Sequence, residues 1–255
     1  MQTINGIYLQ GKELEEFKER AIKSSKFEEL LEAINDLLGD DDLTKEQLLI
    51  EYGYKGDIEL EKDYVVSASQ IVLGNESKTA RIVYRELKDL DVPESFKLQG
   101  QVLTPDKADS RHLLGISFTS EGELEIDSIH TDYPDTELPD ITEPLPDDPN
   151  YVPQDTENYA EPKEKKGVAI TKAWWTSNGC LPGGYQHCGG NCGYGLKHGG
   201  KKPINYTDSC CVLHDRCYGS KTKNCKCDSM LIKCVRNEIT WATFAIRLYF
   251  GPKGC

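Results

Sequence analysis

The chain has 255 residues, of which 38% are hydrophobic and 29% charged, and its formal net charge is −13. That length can bury one large core or two small ones. No window approaches the 18 or more apolar residues of a membrane-spanning helix, and no nucleic-acid partner is expected.

From the N-terminus, 11–22 and 25–38 read as two helices. The second opens on Ser25-Lys26-Phe27-Glu28, a capping box in which serine and glutamate satisfy free backbone donors. Phe27, Leu30, Leu31, Ile34 and Leu38 form its apolar stripe, and Gly39 is its stop. From Tyr64 to Ile126 the pattern turns β-rich, with runs at 65–73, 80–85, 96–104 and 113–119. Ser120-Glu121-Gly122 then offers a hairpin turn into 123–126. Residues 1–126 are therefore expected to form an acidic α+β domain with no recognisable catalytic motif, serving as a propeptide or as an inhibitory or targeting domain.

Residues 127–170 read as an acidic, proline-rich linker. Positions 131–166 alone hold 7 prolines and 11 acidic residues, too little apolar surface to order a segment. The run ends in Lys163-Glu164-Lys165-Lys166-Gly167, a basic site that a protease could cut or simply a solvated charge run.

Residues 171–255 differ in kind. All ten cysteines lie between Cys180 and Cys255, the density of a small domain that relies on disulfides because its core is small. Residues 172–255 carry 12 Lys and Arg against 4 Asp and Glu, a formal +8, whereas 1–171 carry 18 against 39, a formal −21. A basic module suits anionic, phosphate-bearing partners, and it invites an intramolecular contact with the acidic N-terminal part. The cysteines imply a secreted or extracytoplasmic location, yet Met1–Gly6 lacks a basic region leading into an apolar stretch, so no standard signal peptide is seen. Either another export route is used or the N-terminal region is itself a leader.

The chemistry concentrates in the run from Pro203 to Tyr218, PINYTDSCCVLHDRCY. Asn205 is the expected helix N-cap with Asp208 as its acidic partner, and Gly219 the stop. At about 100° per residue, Cys210, Cys211, His214, Asp215, Cys217 and Tyr218 fall within an arc of roughly 160° on that helix. A general base, a hard-metal ligand and the disulfide anchors thus share one face. The Cys192-Gly193-Tyr194-Gly195 turn is a glycine-rich loop of the kind that points carbonyls at one ion, and Cys225-Lys226-Cys227-Asp228, followed by Cys234, marks a second helix.

These motifs resemble the secreted phospholipase A2 family, with its D-x-C-C-x-x-H-D-x-C-Y helix, its C-G-x-G loop and its C-x-C-D second helix. The resemblance covers about 75 residues from Leu181 to Cys255. It implies a mainly α, disulfide-rich domain built on an antiparallel helix pair, and calcium-dependent hydrolysis of the sn-2 ester of glycerophospholipids. His214 would be the general base on water, Asp228 would hold its other ring nitrogen, and Tyr218 would support the aspartate. Calcium would be held by the carbonyls of Asn191, Gly193 and Gly195 and by the Asp215 carboxylate, with the Gly193 amide assisting at the oxyanion. The disulfides implied are Cys192–Cys211, Cys210–Cys234, Cys217–Cys227, Cys225–Cys255 and Cys180–Cys188.

Two departures from the family stand out. The loop from Cys192 to Pro203 is longer than in venom and pancreatic members, and Lys197 and His198 occupy the excess. Only eight residues separate Tyr218 from Cys227, which leaves no room for a β-hairpin wing and suggests the compact plant and microbial form. After Cys227 a helical pattern is expected to continue through Leu231, Cys234, Glu238, Trp241, Ala245 and Tyr249 to Gly251-Pro252. Lys197, Lys201 and Lys202, with Trp174, Trp175 and Leu181 as apolar anchors, are expected to favour an anionic phospholipid surface. The competing function is a membrane-active, cysteine-rich toxin or antimicrobial peptide released from a precursor. Zinc is the competing use of the cysteines, disfavoured because adjacent Cys210 and Cys211 point to different sides of a helix.

Overall fold

Strand alternation in the N-terminal half builds a seven-stranded antiparallel sheet in which the strands follow chain order. The computed structural model describes residues 2–39, 43–61, 64–88, 97–105, 111–129, 140–151, 179–181 and 183–253. The strands are β1 (Gln2–Tyr8), β2 (Leu49–Glu61), β3 (Tyr64–Gly74), β4 (Ala80–Leu87), β5 (Leu98–Pro105), β6 (Arg111–Phe118) and β7 (Leu124–Ser128). Two helices, α1 (Gly11–Ile22) and α2 (Phe27–Leu38), connect β1 to β2. The sheet-rich N-terminal region thus carries β1 and β2 beyond what the sequence pattern indicated. The capping box expected at Ser25 is not formed. Lys26 sits at the N-cap of α2 with φ of 73°, and its ammonium pairs with Glu29 at 2.6 Å.

Each face of the sheet has its own cover. Ile71, Leu73, Ile82, Leu98, Val102, Ile116 and Phe118 point to one face and pack with Phe17, Phe27, Leu30 and Ile34 of α1 and α2. The residues between them along the strands point to the other face, where Tyr52, Tyr54, Ile58, Val66, Val72 and Val83 pack against Leu145, Ile239, Trp241, Phe244 and Ala245. The second cover therefore comes from much later in the chain. It includes residues 140–151 of the stretch expected to be unpacked linker, where Ile141, Leu145, Asp147 and Asp148 are buried. Asp147 accepts hydrogen bonds from the Tyr52 hydroxyl at 2.7 Å and from Gln70 Nε2 at 2.5 Å. Burial pushes its carboxyl up, and these donors, with the backbone N–H of Trp241, pull it back. Acidic composition suggested solvation, but here sheet donors engage one oxygen of the buried carboxylate.

The C-terminal region holds α3 (Tyr206–Tyr218), α4 (Asn224–Cys234) and α5 (Trp241–Phe250). Disulfides Cys210–Cys234 and Cys217–Cys227 tie the start of α3 to the end of α4 and the end of α3 to the start of α4, so the two helices run antiparallel. The helix expected to run unbroken past Cys234 is instead interrupted at 235–240. It restarts at Trp241, where the Thr240 side chain accepts from the Thr243 N–H as N-cap.

Candidate functional site

Asn205 caps α3 by accepting the Asp208 N–H at 2.9 Å. Asp208 does more than complete a cap. Its buried carboxylate accepts from the backbone N–H groups of Gln186, His187, Cys188 and Ile204, at 2.8 to 3.2 Å. Burial pushes this carboxyl up while the amide donors oppose the shift. The preceding glycine-rich loop is thereby pinned to the first turn of the helix.

Two turns along, His214 is buried and its Nε2 lies 2.8 Å from Asp228 Oδ1 on α4. The Tyr218 hydroxyl donates to the same oxygen at 2.6 Å. Desolvation, and then this bond to Asp228, hold the Tyr218 proton firmly, raising its pKa. The imidazole is flanked by the rings of Tyr218 and Phe250, at centroid distances of 4.3 and 4.8 Å. With Nε2 committed to a carboxylate, Nε2 carries the proton and Nδ1 is left as the lone-pair nitrogen, the tautomer a general base requires.

Asp215 follows at once. Among the described residues no hydrogen bond or ion pair engages its carboxylate, and its pKa is raised to about 6 by desolvation and by the negative charge of Asp208. Gly193 faces it so closely that a Cβ would stand 2.9 Å from Asp215 Oδ2. Gly193 has φ of 149°, and Asn191 and Gly195 have φ of 62° and 71°, so this loop follows a left-handed path that favours glycine. A carboxylate with no described partner, facing a glycine-rich loop at Gly193, is an oxygen donor of the kind a hard divalent cation such as calcium takes. The Gly193 and Asn191 carbonyls accept loop N–H groups from Leu196 and His198 at 3.2 Å, which leaves each a second lone pair.

The structure departs from the expectations at three points here. Cys211 pairs with Cys188 rather than Cys192, and Cys192 pairs with Cys180, so neither Cys192–Cys211 nor Cys180–Cys188 occurs. The loop is anchored to α3 four residues earlier than the C-G-x-G resemblance implied, and Cys180 staples its far end. Cys210–Cys234 and Cys217–Cys227 are present. Cys225 is disulfide-bonded, and its expected partner Cys255 lies outside the described residues. The Gly193 N–H, expected to assist an oxyanion, instead donates to the His198 carbonyl at 2.9 Å. Leu181, expected as a membrane anchor, is buried among Tyr185, Cys188 and Ile246, because the Leu181 N–H is bonded to the Cys188 carbonyl. Trp174 and Trp175 lie outside the described residues.

His187 escaped the sequence reading. Its ring lies tilted against that of Tyr194, with centroids 4.5 Å apart, and its Nε2 donates to the Lys201 carbonyl at 2.7 Å, which fixes the long loop against itself. The only sequence signal was its place beside Cys188. On the outer side of this loop Tyr194 and Leu196 are 59% and 52% exposed, next to the exposed Lys197, Lys201 and Lys202.

Part of this chain is similar to a snake phospholipase A2 chain. That relative is the basic phospholipase A2 beta-bungarotoxin A-AL4 chain of Bungarus multicinctus, 46% identical over 44 residues. The match spans 17% of this chain and 30% of the relative. No family model matches the chain, and no solved structure does.

Proposed function

We propose that the protein is a calcium-dependent phospholipase A2 that hydrolyses the sn-2 ester of glycerophospholipids. The observation that carries this reading is the buried His214–Asp228 pair, with the Tyr218 hydroxyl on the same Asp228 oxygen, set one residue from the uncompensated Asp215 carboxylate. His214 Nδ1 would take the proton of the attacking water, and Asp228 would hold the ring and stabilise the imidazolium that results. Tyr218 would keep Asp228 in place. On collapse of the tetrahedral adduct His214 would return the proton to the departing sn-2 alcohol oxygen. Asn191, Gly193 and Gly195 carbonyls and Asp215 would hold the calcium ion, which supplies Lewis-acid polarisation of the ester carbonyl when bound.

Tyr194 and Leu196 with Lys197, Lys201 and Lys202 would form the surface that meets an anionic membrane, replacing Leu181 in that role. The disulfides and the partial likeness to a snake phospholipase A2 chain favour a secreted, lipid-degrading enzyme. The second reading, a membrane-active toxin without hydrolysis, is favoured only by that basic, apolar rim. Purified full-length protein on phosphatidylglycerol vesicles, with calcium or with chelator, tests the two. Fatty-acid release that stops with chelator supports the hydrolase, and leakage without fatty acid supports the toxin.

A further inference from the structure

We propose that the N-terminal sheet is a positioning partner for the site, acting through α5, and that it stays docked when the chain is cut between the halves. The proposal rests on the hydrolase reading for its catalytic part.

The sheet face opposite α1 and α2 carries an internal polar row, made of Gln70, Arg85, Gln99 and Gln101, all buried. The partner this row fits is the corner at 235–240 between α4 and α5, whose backbone carbonyls its side chains reach. Gln99 Nε2 donates to the Arg236 carbonyl at 3.3 Å and Gln101 Nε2 to that of Asn237 at 3.1 Å. Arg85 donates to the carbonyls of Ile239 at 2.5 Å and Thr240 at 3.4 Å. Arg85 is itself held by Gln70 and Gln99 and lies over the Phe244 ring at 4.9 Å. Arg247 of α5 returns a bond to the same Gln99 oxygen. Gly115 completes the fit, since a Cβ there would stand 2.5 Å from Asn237 Cβ, and Arg236 pairs with Asp127 and Glu125 on β7.

Helix α5 is thus shared. Trp241, Phe244 and Ala245 belong to the core under the sheet, while Ala242 and Ile246 belong to the disulfide core with Leu231, Tyr206 and Cys210. Its last residue, Phe250, is the ring set against His214. One rigid helix therefore runs from the polar row of the sheet to the imidazole. The hydrogen bonds and ring contacts given above for His214, Tyr218 and Asp228 all lie within the C-terminal region, so the sheet supports these residues through α5 and is not bonded to them directly. Release of the C-terminal region alone would expose Ile239, Trp241 and Phe244 and remove the Arg85 and Gln101 donors from the Ile239 and Asn237 carbonyls.

The test uses the full chain with a site-specific protease sequence placed at Lys166–Gly167. After cutting, the two fragments should co-elute at the size of the intact chain in size-exclusion chromatography, and calcium-dependent hydrolysis should stay within about twofold of the uncut protein. With Arg85→Met added, the cut fragments should separate, kcat should fall at least tenfold with KM little changed, and adding wild-type N-terminal fragment should restore it. Phe250→Ala in the intact chain should lower kcat with KM little changed, and Phe250→Tyr should restore it. Fragments that separate readily, or a C-terminal fragment more active alone than the intact chain, would overturn the proposal in favour of a restraining N-terminal half. Co-elution with no lipid hydrolysis from cut or uncut protein would overturn the positioning role along with the hydrolase reading, leaving the docking alone.

Discussion

Trp241→Ala probes the joint core at its centre. The indole is fully buried, edge-on to Tyr54 of β2 at 4.8 Å between ring centroids and to Phe244 of α5 at 5.4 Å. Truncating a buried aromatic of this kind costs about 3–5 kcal/mol through lost transfer energy and the cavity left behind. For a chain of this size each kcal/mol lowers Tm by about 2–4 °C, so the midpoint should fall by about 6–20 °C. Thermal unfolding followed by far-UV circular dichroism for the sheet and near-UV circular dichroism for the disulfide region should show one transition, shifted equally in both signals. A shift below about 2 °C, or a sheet transition unmoved while the near-UV signal melts early, would refute a core shared by the two halves.

Other outcomes follow from the site. His214→Gln should lower kcat by about 10²–10⁴-fold in a fatty-acid release assay, and Asp228→Asn by a smaller factor, since it orients the base without reacting. Because Asp215 has its pKa raised to about 6 from 3.8, the folded state holds that proton more tightly than the unfolded chain. Its ionisation therefore costs stability that is absent at pH 3 and fully felt above pH 6. Asp215→Asn should accordingly raise the Tm of the calcium-free protein at pH 7.5, with the gain vanishing towards pH 4, while abolishing calcium binding in a calorimetric titration. In the wild type, protons should compete with calcium below pH 6, weakening its apparent affinity. Disulfide mapping by mass spectrometry of the unreduced protein should recover peptides joining Cys180 to Cys192 and Cys188 to Cys211, and recovery of Cys192 joined to Cys211 would contradict the loop as described.

The parts legible in the sequence are those set by local periodicity. The stripe of α2 and the alternation of β3 to β7 follow from residues two to four apart, and the His-Asp helix from motif spacing. Strand β2 was hidden because Gly56 interrupts the run Tyr52, Tyr54, Ile58, Leu60, while Glu51, Lys55, Asp57 and Glu59 occupy the positions between. Arg85, Gln99 and Gln101 look like a solvent face in any strand pattern, and only the corner at 235–240, more than 130 residues later, makes them interior. Asp147 was hidden for the same reason: its donors, Tyr52 and Gln70, are remote in sequence. Asp208 looked like a capping partner, and its bonds to the 186–188 amides require the loop to be folded first. The pairing of Cys188 with Cys211 could not be read from spacing, because Cys188 and Cys192 both precede a glycine.

The most direct measurement uses a glycerophospholipid with distinguishable acyl chains at sn-1 and sn-2, incubated with full-length protein and calcium and analysed by mass spectrometry of the free fatty acids. The proposed function predicts release of the sn-2 acid alone, lost with chelator and lost in His214→Gln and Asp215→Asn while both variants keep the wild-type circular dichroism. Release from sn-1, or sn-2 release that persists in a folded His214→Gln protein, would contradict the assignment of His214 as the base.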